Sequence, residues 1–412
     1  MNNVLMVAYH YPPVGYSSGV HRTLAFSKYL SGFGWQPIVL TVTPGAYECA
    51  NESQLGDIPD DLIVKRAFAL DAARHLSIGG RYLGWTALPD RWVSWLPFAV
   101  MNGLLLIKKH KPKVIWSTYP IASAHLVGYC LSKLTGIPWV ADFRDSMTEP
   151  GFPEDKSKWR LYRRIEKTAV ENSSVSVFTT LGASAMYQDR YAYMGSDRFS
   201  VIENGYDEEA FSRAEQMPPL SFLGGDKIRL LHSGTLYPSE RDPLPFFNAI
   251  AFLKRTGKFA GFRLEVILRA TGHDDVYRTL ISELGIDGIV KIRPPLPYHE
   301  ALREMLDVDG LLVFQASNCN HQIPAKVYEY IRAQRPVFTL SDHAGDTVRL
   351  LKKLGYTDIC GLNSEGQIVD SLMSFIEKVR NKGFLLPDGG KIAEISRFAR
   401  TRELAGLFDR LY

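Results

Sequence analysis

Cysteine is scarce in this sequence of 412 residues, and the few cysteines are far apart. Cys49, Cys130, Cys319 and Cys360 form no CxxC pair and show no metal-ligand spacing with histidine. This usage excludes a disulfide-rich scaffold and a structural zinc site, and it is typical of a reducing compartment. A chain of this length can instead stabilise its fold by burying a large hydrophobic core.

Long hydrophobic runs are also missing. The longest apolar stretch, residues 93–107, is interrupted by Pro97 and Asn102, and it is shorter than the roughly 20 residues that a membrane-spanning helix needs. The first nine residues contain no basic segment, and their apolar run is only of strand length, so we expect no secretory signal peptide. These absences predict a cytoplasmic protein.

Neither the charge nor the glycine spacing indicates a nucleic acid or a dinucleotide as ligand. The formal net charge is only +4, which is too small to indicate binding to nucleic acid, and no nucleic-acid-binding motif is present. The loop after the first apolar strand contains Gly15 and Gly19 but lacks the GxGxxG fingerprint, which disfavours an NAD site. We therefore expect a different small-molecule ligand.

Short apolar strands alternate with helical patterns along the chain, which indicates parallel α/β sheets. The alternation restarts after a Pro- and Gly-containing segment, so we place a domain boundary near residues 214–226. The predicted fold class is α/β, with doubly wound, Rossmann-like domains at residues 1–215 and 226–388 facing a central cleft. Residues 389–412 are predicted to form a terminal helix that crosses back to the first domain. Because open parallel sheets bind ligands at the carboxyl ends of their strands, we expect the functional side chains there.

The segment PAKVYEY, residues 324–330, places a lysine and a carboxylate at the start of a predicted helix. A helix start presents free N–H groups and a partial positive charge, and Lys326 adds a full one, so this position favours a phosphate. Glu329 shares the same helix face, from which it can reach past phosphates to ribose hydroxyls. The alternative is a surface ion pair between Lys326 and Glu329, which is common and weak.

A glycine and an arginine in the second half of the chain extend this hypothesis. Gly234 and Thr235 follow the first strand of that half, and Arg241 lies just before the next helix. Gly234 allows the backbone to approach a ligand closely, and Arg241 can bind the same diphosphate oxygens that Lys326 neutralises. The alternative is that Arg241 pairs with Asp242 at the surface.

In the first half, Asp142 and Asp145 flank Arg144 directly after a predicted strand. Carboxylates at this position can orient the hydroxyls of an acceptor or take a proton from it. Alternatively, Arg144 pairs with either neighbour and only holds the loop.

The loop of residues 9–22 offers further ligands. Ser17, Ser18 and Arg22 can donate hydrogen bonds to a sugar or a phosphate, and Gly15 and Gly19 allow close backbone approach. The alternative is a turn followed by a helix cap, since Ser and Gly are common at helix starts.

Taken in order, these motifs resemble glycosyltransferase family 4, whose members have the two-domain GT-B fold, and the resemblance runs over nearly the whole chain. Two positions depart from the family pattern: His321 stands where many members have a glutamate, and Thr235 stands where many have an arginine. The matching segments are Tyr11-Pro12-Pro13 with Gly15 and Gly19, Asn204-Gly205-Tyr206-Asp207, Ser233-Gly234-Thr235 with Arg241, and Pro324 to Tyr330.

The resemblance implies a retaining, metal-independent transfer of a sugar, of the hexosyltransferase kind, from a nucleotide diphosphate sugar to a hydroxyl acceptor, as in bacterial surface polysaccharide or glycolipid biosynthesis. No cofactor is implied. A nucleotide-sugar epimerase or hydrolase on the same fold, and a catalytically silent nucleotide-sugar binding protein, remain alternatives. The implied catalytic residues are Asp142, Asp145, Arg241 and Lys326, and the implied binding residues are Gly15, Ser18, Gly19, Asn204, Gly234, Thr235, Arg241, Lys326 and Glu329.

The apolar stretch 93–107 has a second interpretation. Trp92 and Trp95 accompany it and basic residues flank it, a mixture that suits a membrane interface. The flanking basic residues are Arg81, Arg91, Lys108, Lys109, Lys111 and Lys113. The sequence therefore also predicts docking at the inner face of the cell membrane, with a lipid-linked acceptor. The alternative is an amphipathic core helix with a basic, solvated end.

Overall fold

The computed structural model describes residues 1–15, 19–220 and 227–412. The chain forms two compact units: the first comprises Met1–Asn204 and Arg397–Tyr412, and the second comprises Gly205–Ser396. The chain thus leaves the first unit at Asn204, before the Pro- and Gly-containing segment, because Tyr206 and Phe211 pack into the core of the second unit.

The first unit is built on a seven-stranded sheet whose strands all pair in parallel, in the order β3-β2-β1-β4-β5-β6-β7. Both faces of this sheet are covered, since Leu5 and Val7 of β1 belong to one hydrophobic core and Val4 and Met6 belong to another. The strands are β1 (Asn2–Val7), β2 (Trp35–Val42), β3 (Ile63–Ala67), β4 (Val114–Thr118), β5 (Trp139–Phe143), β6 (Val175–Phe178) and β7 (Phe199–Val201).

Helices follow the strands of the first unit, as expected for a doubly wound sheet. They are α1 (Gly19–Tyr29), α2 (Ala72–His75), α3 (Trp95–His110), α4 (Ala122–Thr135), α5 (Lys156–Asn172) and α6 (Leu181–Arg190).

The terminal helix, α15 (Arg397–Asp409), packs on α1. Phe26 and Leu30 of the apolar stripe that begins in α1 are buried against the sheet, whereas the rings of Tyr29 and Phe33 contact Phe398, with centroids 5.6 and 5.0 Å apart. The same apolar stripe therefore packs against both the sheet and the terminal helix.

The second unit contains a six-stranded parallel sheet in the order β10-β9-β8-β11-β12-β13. Alternate residues of β11, such as Leu311 and Leu312, again face different hydrophobic cores, so this sheet is also covered on both faces. The strands are β8 (Ile228–Ser233), β9 (Leu264–Arg269), β10 (Val290–Arg293), β11 (Gly310–Gln315), β12 (Val337–Ser341) and β13 (Ile359–Cys360).

The remaining helices are α7 (Glu208–Gln216), α8 (Leu244–Arg255), α9 (Asp274–Glu283), α10 (Tyr298–Asp307), α11 (Ala325–Arg332), α12 (Asp346–Lys353), α13 (Glu365–Asn381), α14 (Gly389–Ala393) and α15 (Arg397–Asp409). Of these, α15 belongs to the first unit and the others belong to the second. In the described part of the chain, no helix combines the length and the apolar character needed to cross a membrane.

Candidate functional site

The residues of the second unit that were predicted to bind phosphate lie together at the carboxyl edge of its sheet. β8 ends at Ser233, and Gly234 follows with a φ of +114°. A Cβ atom on Gly234 would lie 2.8 Å from Nζ of Lys326, which lies in the first turn of α11, after the neighbouring strand β11. Glycine is therefore required both for the backbone conformation and for the space beside the lysine.

The ammonium group of Lys326 is held by a histidine. Nδ1 of His232 lies 2.9 Å from the carbonyl oxygen of Leu312, so this nitrogen carries the proton, and Nε2 accepts a hydrogen bond from Nζ of Lys326 at 3.1 Å. Burial and Arg241 lower the pKa of Lys326 well below its ordinary value, and Glu329 opposes this shift. Burial and Lys326 likewise lower the pKa of His232. The site is therefore short of negative charge, which a bound anion would supply.

Arg241 is fixed by the loop that follows β8. Its Nη1 donates to the carbonyl oxygen of Thr235 at 3.0 Å, and the guanidinium lies over the ring of Tyr237 at 5.4 Å. Asp242 instead accepts a hydrogen bond from the backbone N–H of Leu244, the first residue of α8, at 3.0 Å. The loop thus directs a second cation toward the site of Lys326.

The ends of α11 and β8 are tied together by a tyrosine that sequence reasoning did not select. The hydroxyl of Tyr330 accepts a hydrogen bond from the backbone N–H of Ser233 at 2.8 Å. This contact fixes α11, and with it Lys326, relative to Gly234. The pattern PAKVYEY contains Tyr330, but a tyrosine in an apolar stripe is also expected simply as core.

Glu329 lies inside the second unit rather than on its surface. Its side chain is 9% exposed, and Oε1 accepts a hydrogen bond from the hydroxyl of Tyr298, at the start of α10, at 2.9 Å. A buried, oriented carboxylate of this kind can accept hydrogen bonds from the hydroxyls of a ligand.

The turn after β9 has a backbone conformation that the sequence did not predict. Ala270 has a φ of +57°, a left-handed conformation that costs a non-glycine residue about 1–2 kcal/mol. Two residues later, Gly272 has a φ of +77°, and a Cβ there would lie 3.0 Å from Cγ2 of Thr235. The loops after β8 and β9 therefore pack tightly, and the strained backbone lies at this edge, as is common at functional sites.

In the first unit, Asp142 is completely buried and paired with Arg22. Nη2 and Nε of Arg22 donate to the two carboxylate oxygens at 2.8 and 3.1 Å, and the hydroxyl of Thr118 donates to Oδ2 at 2.9 Å. The guanidinium of Arg22 also donates to the carbonyl oxygens of Ile202 and Glu203, both at 2.9 Å. This network joins α1 to the ends of β4, β5 and β7, and it points to a positioning role for both residues.

Asp145 differs from Asp142 because it is exposed. Burial lowers the pKa of Arg144, and Asp145 and Asp142 oppose the shift. The loop that carries Asp145 is anchored by Glu166, which is fully buried and accepts from the backbone N–H and the hydroxyl of Thr148 at 3.1 and 2.8 Å. Glu166 was not selected from the sequence, since it lies in the middle of α5 with nothing to mark it.

The predicted loop residues of the first unit have separate environments. Gly15 packs on Cys49, because a Cβ would lie 3.0 Å from its Sγ. Gly19 is the buried first residue of α1, and Oδ1 of Asn204 lies 3.5 Å from Nη1 of Arg22. Ser17 and Ser18 lie outside the described residues.

Two histidines that sequence reasoning passed over lie among basic groups of the first unit. Burial and Arg144 lower the pKa of His10, directly after β1, to about 4. Burial, Arg397 and Arg144 lower the pKa of His21, in α1, to about 3. Both imidazoles are therefore neutral at neutral pH and can interact with a hydroxyl group. Within the described ranges, no group of three or more His, Cys, Asp or Glu side chains is arranged to hold a metal ion.

Comparison with known proteins identifies the fold. No protein-family model and no curated protein matches the sequence. HepE of Anabaena, solved in complex with UDP and glucose, is 15% identical, with a TM-score of 0.65 over 99% of this chain and 100% of that one. A glycosyltransferase from Rickettsia africae is 12% identical, with a TM-score of 0.64 over 100% and 98% of the two chains.

An enzyme with a different activity is similar over the same length. UDP-GlcNAc 2-epimerase from Methanocaldococcus jannaschii is 10% identical, with a TM-score of 0.56 over 99% of both chains. These similarities, together with the two doubly wound sheets, confirm the predicted α/β class and the GT-B architecture.

Proposed function

We propose that the protein is a glycosyltransferase that moves a sugar from a nucleotide diphosphate sugar to a hydroxyl acceptor. The observation that carries this proposal is the pair of cations, Lys326 and Arg241, held beside Gly234 at the start of α11. The lowered pKa of Lys326 indicates a site that is incomplete without an anion. The fold, shared with a structure described as a glycosyltransferase and with one solved in complex with UDP and glucose, supports the same proposal.

In this mechanism the leaving diphosphate gains charge as its bond to the sugar breaks. Arg241, Lys326 and the start of α11 stabilise that charge without a metal ion, and Glu329 holds the ribose. A diphosphate oxygen then assists removal of the acceptor proton, with retention at the anomeric carbon. The first unit holds the acceptor, with Asp145 orienting it, while Asp142 and Arg22 keep the loops in place. Membership of family 4 and hexosyl transfer are part of this proposal.

A nucleotide-release assay separates the proposal from its alternatives. Purified protein would be incubated with UDP-, GDP- and ADP-sugars, with and without glycolipid or polysaccharide extracted from cells. A transferase releases nucleotide only with the acceptor present, and the acceptor gains labelled sugar. Release or epimerisation of the sugar without acceptor would instead assign the protein to the hydrolase or epimerase class, and binding without any turnover would identify a silent binding protein.

Nucleotide binding should be accompanied by uptake of protons. The pKa of Lys326 is lowered in the free protein, and a bound diphosphate favours the charged ammonium and raises that pKa. The complex then binds more protons than the free protein between the two pKa values, so the affinity should fall as the pH rises through this range. Titration calorimetry above pH 8, in buffers that differ in ionisation enthalpy, measures the number of protons.

Above pH 8, neither His232 nor the phosphate contributes, because the pKa of His232 is already lowered and the second phosphate pKa is about 6. Lys326→Met should abolish the proton uptake. Uptake that persists in this variant would show that another group is responsible.

We further propose that the first unit docks on an anionic membrane surface, although not through the tryptophans that the sequence indicated. Trp95 is fully buried, and Trp92, which precedes α3, is partly buried with its ring 4.9 Å from that of Tyr9, so both tryptophans pack against the core. Exposed apolar side chains in this region instead include Trp85, which is 72% exposed, and Met101 and Leu105 on the outer face of α3.

This outer face supports docking because α3 is apolar on both sides. Ala99 and Leu106 face the core, whereas Met101 and Leu105 are exposed, and a globular helix normally carries polar residues there. Lys108 and Lys109 follow in the last turn and are exposed, which suits anionic lipid headgroups. Docking at the inner face of the cell membrane would place the enzyme beside a lipid-linked acceptor.

Replacing two of these side chains should weaken membrane binding. Met101→Ser combined with Leu105→Ser removes apolar groups worth about 1.5–3 kcal/mol each when buried, so co-sedimentation with vesicles of anionic lipid should fall at least about tenfold. Leu134→Ser, at an exposed leucine of α4, is the matched control and should leave binding unchanged. Equal binding of the double variant and the wild type would contradict the docking proposal.

A further inference from the structure

A pocket lies beside the proposed nucleotide site, on the other side of β11. It has a volume of about 390 Å³ and is formed by the loops that follow β11, β12 and β13, together with the start of α13. The nucleotide residues Gly234 and Lys326 lie where β8 and β11 adjoin, whereas this pocket lies toward β12 and β13. Its size falls in the range of small-molecule sites, about 300–1,000 Å³.

Two buried side chains that line the pocket have unused hydrogen-bonding atoms. Nε2 of Gln315 donates to the carbonyl oxygens of Cys319 and Gln322 at 2.7 and 3.0 Å, which fixes the orientation of the amide. Among the described residues, neither Oε1 of Gln315 nor Oγ of Ser341 has a hydrogen-bond partner, although the two side chains are only 2% and 1% exposed. Buried polar atoms are almost always hydrogen-bonded, so these two indicate that a partner is missing.

The charge of the pocket indicates what that partner is. Asp342 accepts hydrogen bonds from the backbone N–H of Ala344 at 3.0 Å and from Nδ2 of Asn320 at 2.8 Å, and these two donors lower the pKa of the carboxyl, so it stays ionised. No lysine or arginine is among the described residues that line the pocket; Lys352 lies behind His343, with Nζ 3.4 Å from Nδ1. The N-terminus of α13 carries a partial positive charge, but its first residue is the acidic Glu365.

These acceptors call for a ligand with several O–H donors and no negative charge. Asp342 and Oε1 of Gln315 can accept hydrogen bonds from a ligand, Ser341 can both donate and accept, and Leu362 adds an apolar surface. A sugar ring combines vicinal hydroxyls with an apolar C–H face, and thus matches all of these groups. We propose that this pocket binds one uncharged sugar residue of a glycan, independently of the nucleotide.

The glycine at position 361 allows the pocket to be blocked with little disturbance. A Cβ on Gly361 would have Oε1 of Gln367 as its nearest neighbour, at 3.8 Å, which is an ordinary contact, and the backbone there does not need glycine. Gly361→Leu would therefore occupy space at the pocket while the fold is kept. Asp342→Asn removes the negative charge but keeps the shape, so the two variants test the volume and the charge separately.

The test is saturation-transfer NMR of the full chain with methyl glycosides of glucose, galactose, mannose and N-acetylglucosamine, followed by titration. We expect saturable binding of at least one glycoside, weakened about tenfold or more by Asp342→Asn, as for loss of a charged hydrogen-bond partner, and abolished by Gly361→Leu. Lys326→Met and added UDP should leave this binding unchanged.

Absence of saturable binding for all four glycosides would overturn the proposal, and so would binding that Gly361→Leu does not affect. Displacement of the glycoside by UDP would also overturn it, because the sugar would then occupy the nucleotide site. The proposal does not depend on the proposed enzymatic function, since both variants and the glycosides are tested without turnover.

Discussion

Lys326→Met should weaken the binding of the nucleoside diphosphate by about tenfold to about 150-fold, the range for one hydrogen bond to a charged group worth about 1.5–3 kcal/mol. Turnover should fall further, by about a hundredfold or more, because the leaving diphosphate gains charge in the transition state. The physical reason is the position of the ammonium beside Gly234, where the protein backbone can approach a bound ligand closely. Calorimetry and nucleotide release measure the two effects.

The fold should survive this substitution. The pKa of Lys326 is lowered in the folded protein, so its charged form destabilises the fold at pH values below the pKa that this lysine has in the unfolded chain. An apolar side chain removes that cost. Lys353→Met, at an exposed lysine of α12, is the matched control and should bind nucleotide normally. Arg241→Gln should show a similar loss, and the double variant should lose less than the sum, since the two cations act on one group. Full affinity in Lys326→Met would refute the assignment.

Asp142→Ala should destabilise the first unit by about 3–5 kcal/mol, the cost of leaving one member of a buried ion pair without its partner. The variant leaves the guanidinium of Arg22 buried next to an empty space: it keeps its contacts to the carbonyl oxygens of Ile202 and Glu203 and to Oδ1 of Asn204 but loses its carboxylate partner. Urea unfolding followed by circular dichroism measures this loss of unfolding free energy.

Replacement of the exposed residue Asp145 should have a different effect from replacement of Asp142. Asp145→Ala should change the free energy of unfolding by less than about 0.5 kcal/mol, as expected for a surface side chain, but it should lower the rate of transfer to the acceptor. Replacing both members of the pair, Arg22→Met with Asp142→Leu, should recover much of the stability lost in Asp142→Ala, because no charge is left unpaired. Asp142→Ala with wild-type stability would show that the pair does not hold the loops.

The sequence predicted those features of the fold that depend on local patterns. Continuous apolar runs identified β1, β8 and β11, and the positions of Gly234 and Lys326 at strand and helix ends predicted that they would lie at one edge of the sheet. β3 and β13 were not predicted, because β3 carries Lys65 and Arg66 at the end of the sheet and β13 has only two residues.

Features that depend on distant contacts could not be predicted in this way. Arg22 and Asp142 are 120 positions apart, and nothing local shows that their side chains pair. Trp95 is buried and packs on Tyr9, whereas Trp85 is exposed, and the residue type alone does not distinguish the two. The unusual conformation of Ala270 likewise follows from packing of the loops rather than from residue type.

The central claim is that the second unit binds a nucleoside diphosphate at Lys326, Arg241 and Glu329. Thermal unfolding in the presence of UDP, GDP, ADP, CMP and their sugar conjugates tests it most directly. We predict that one nucleotide, at 100 times its dissociation constant, stabilises the protein by about 2.7 kcal/mol, and that Lys326→Met and Glu329→Ala each reduce this effect. No stabilisation by any nucleotide, or equal stabilisation of the wild type and both variants, would contradict the claim.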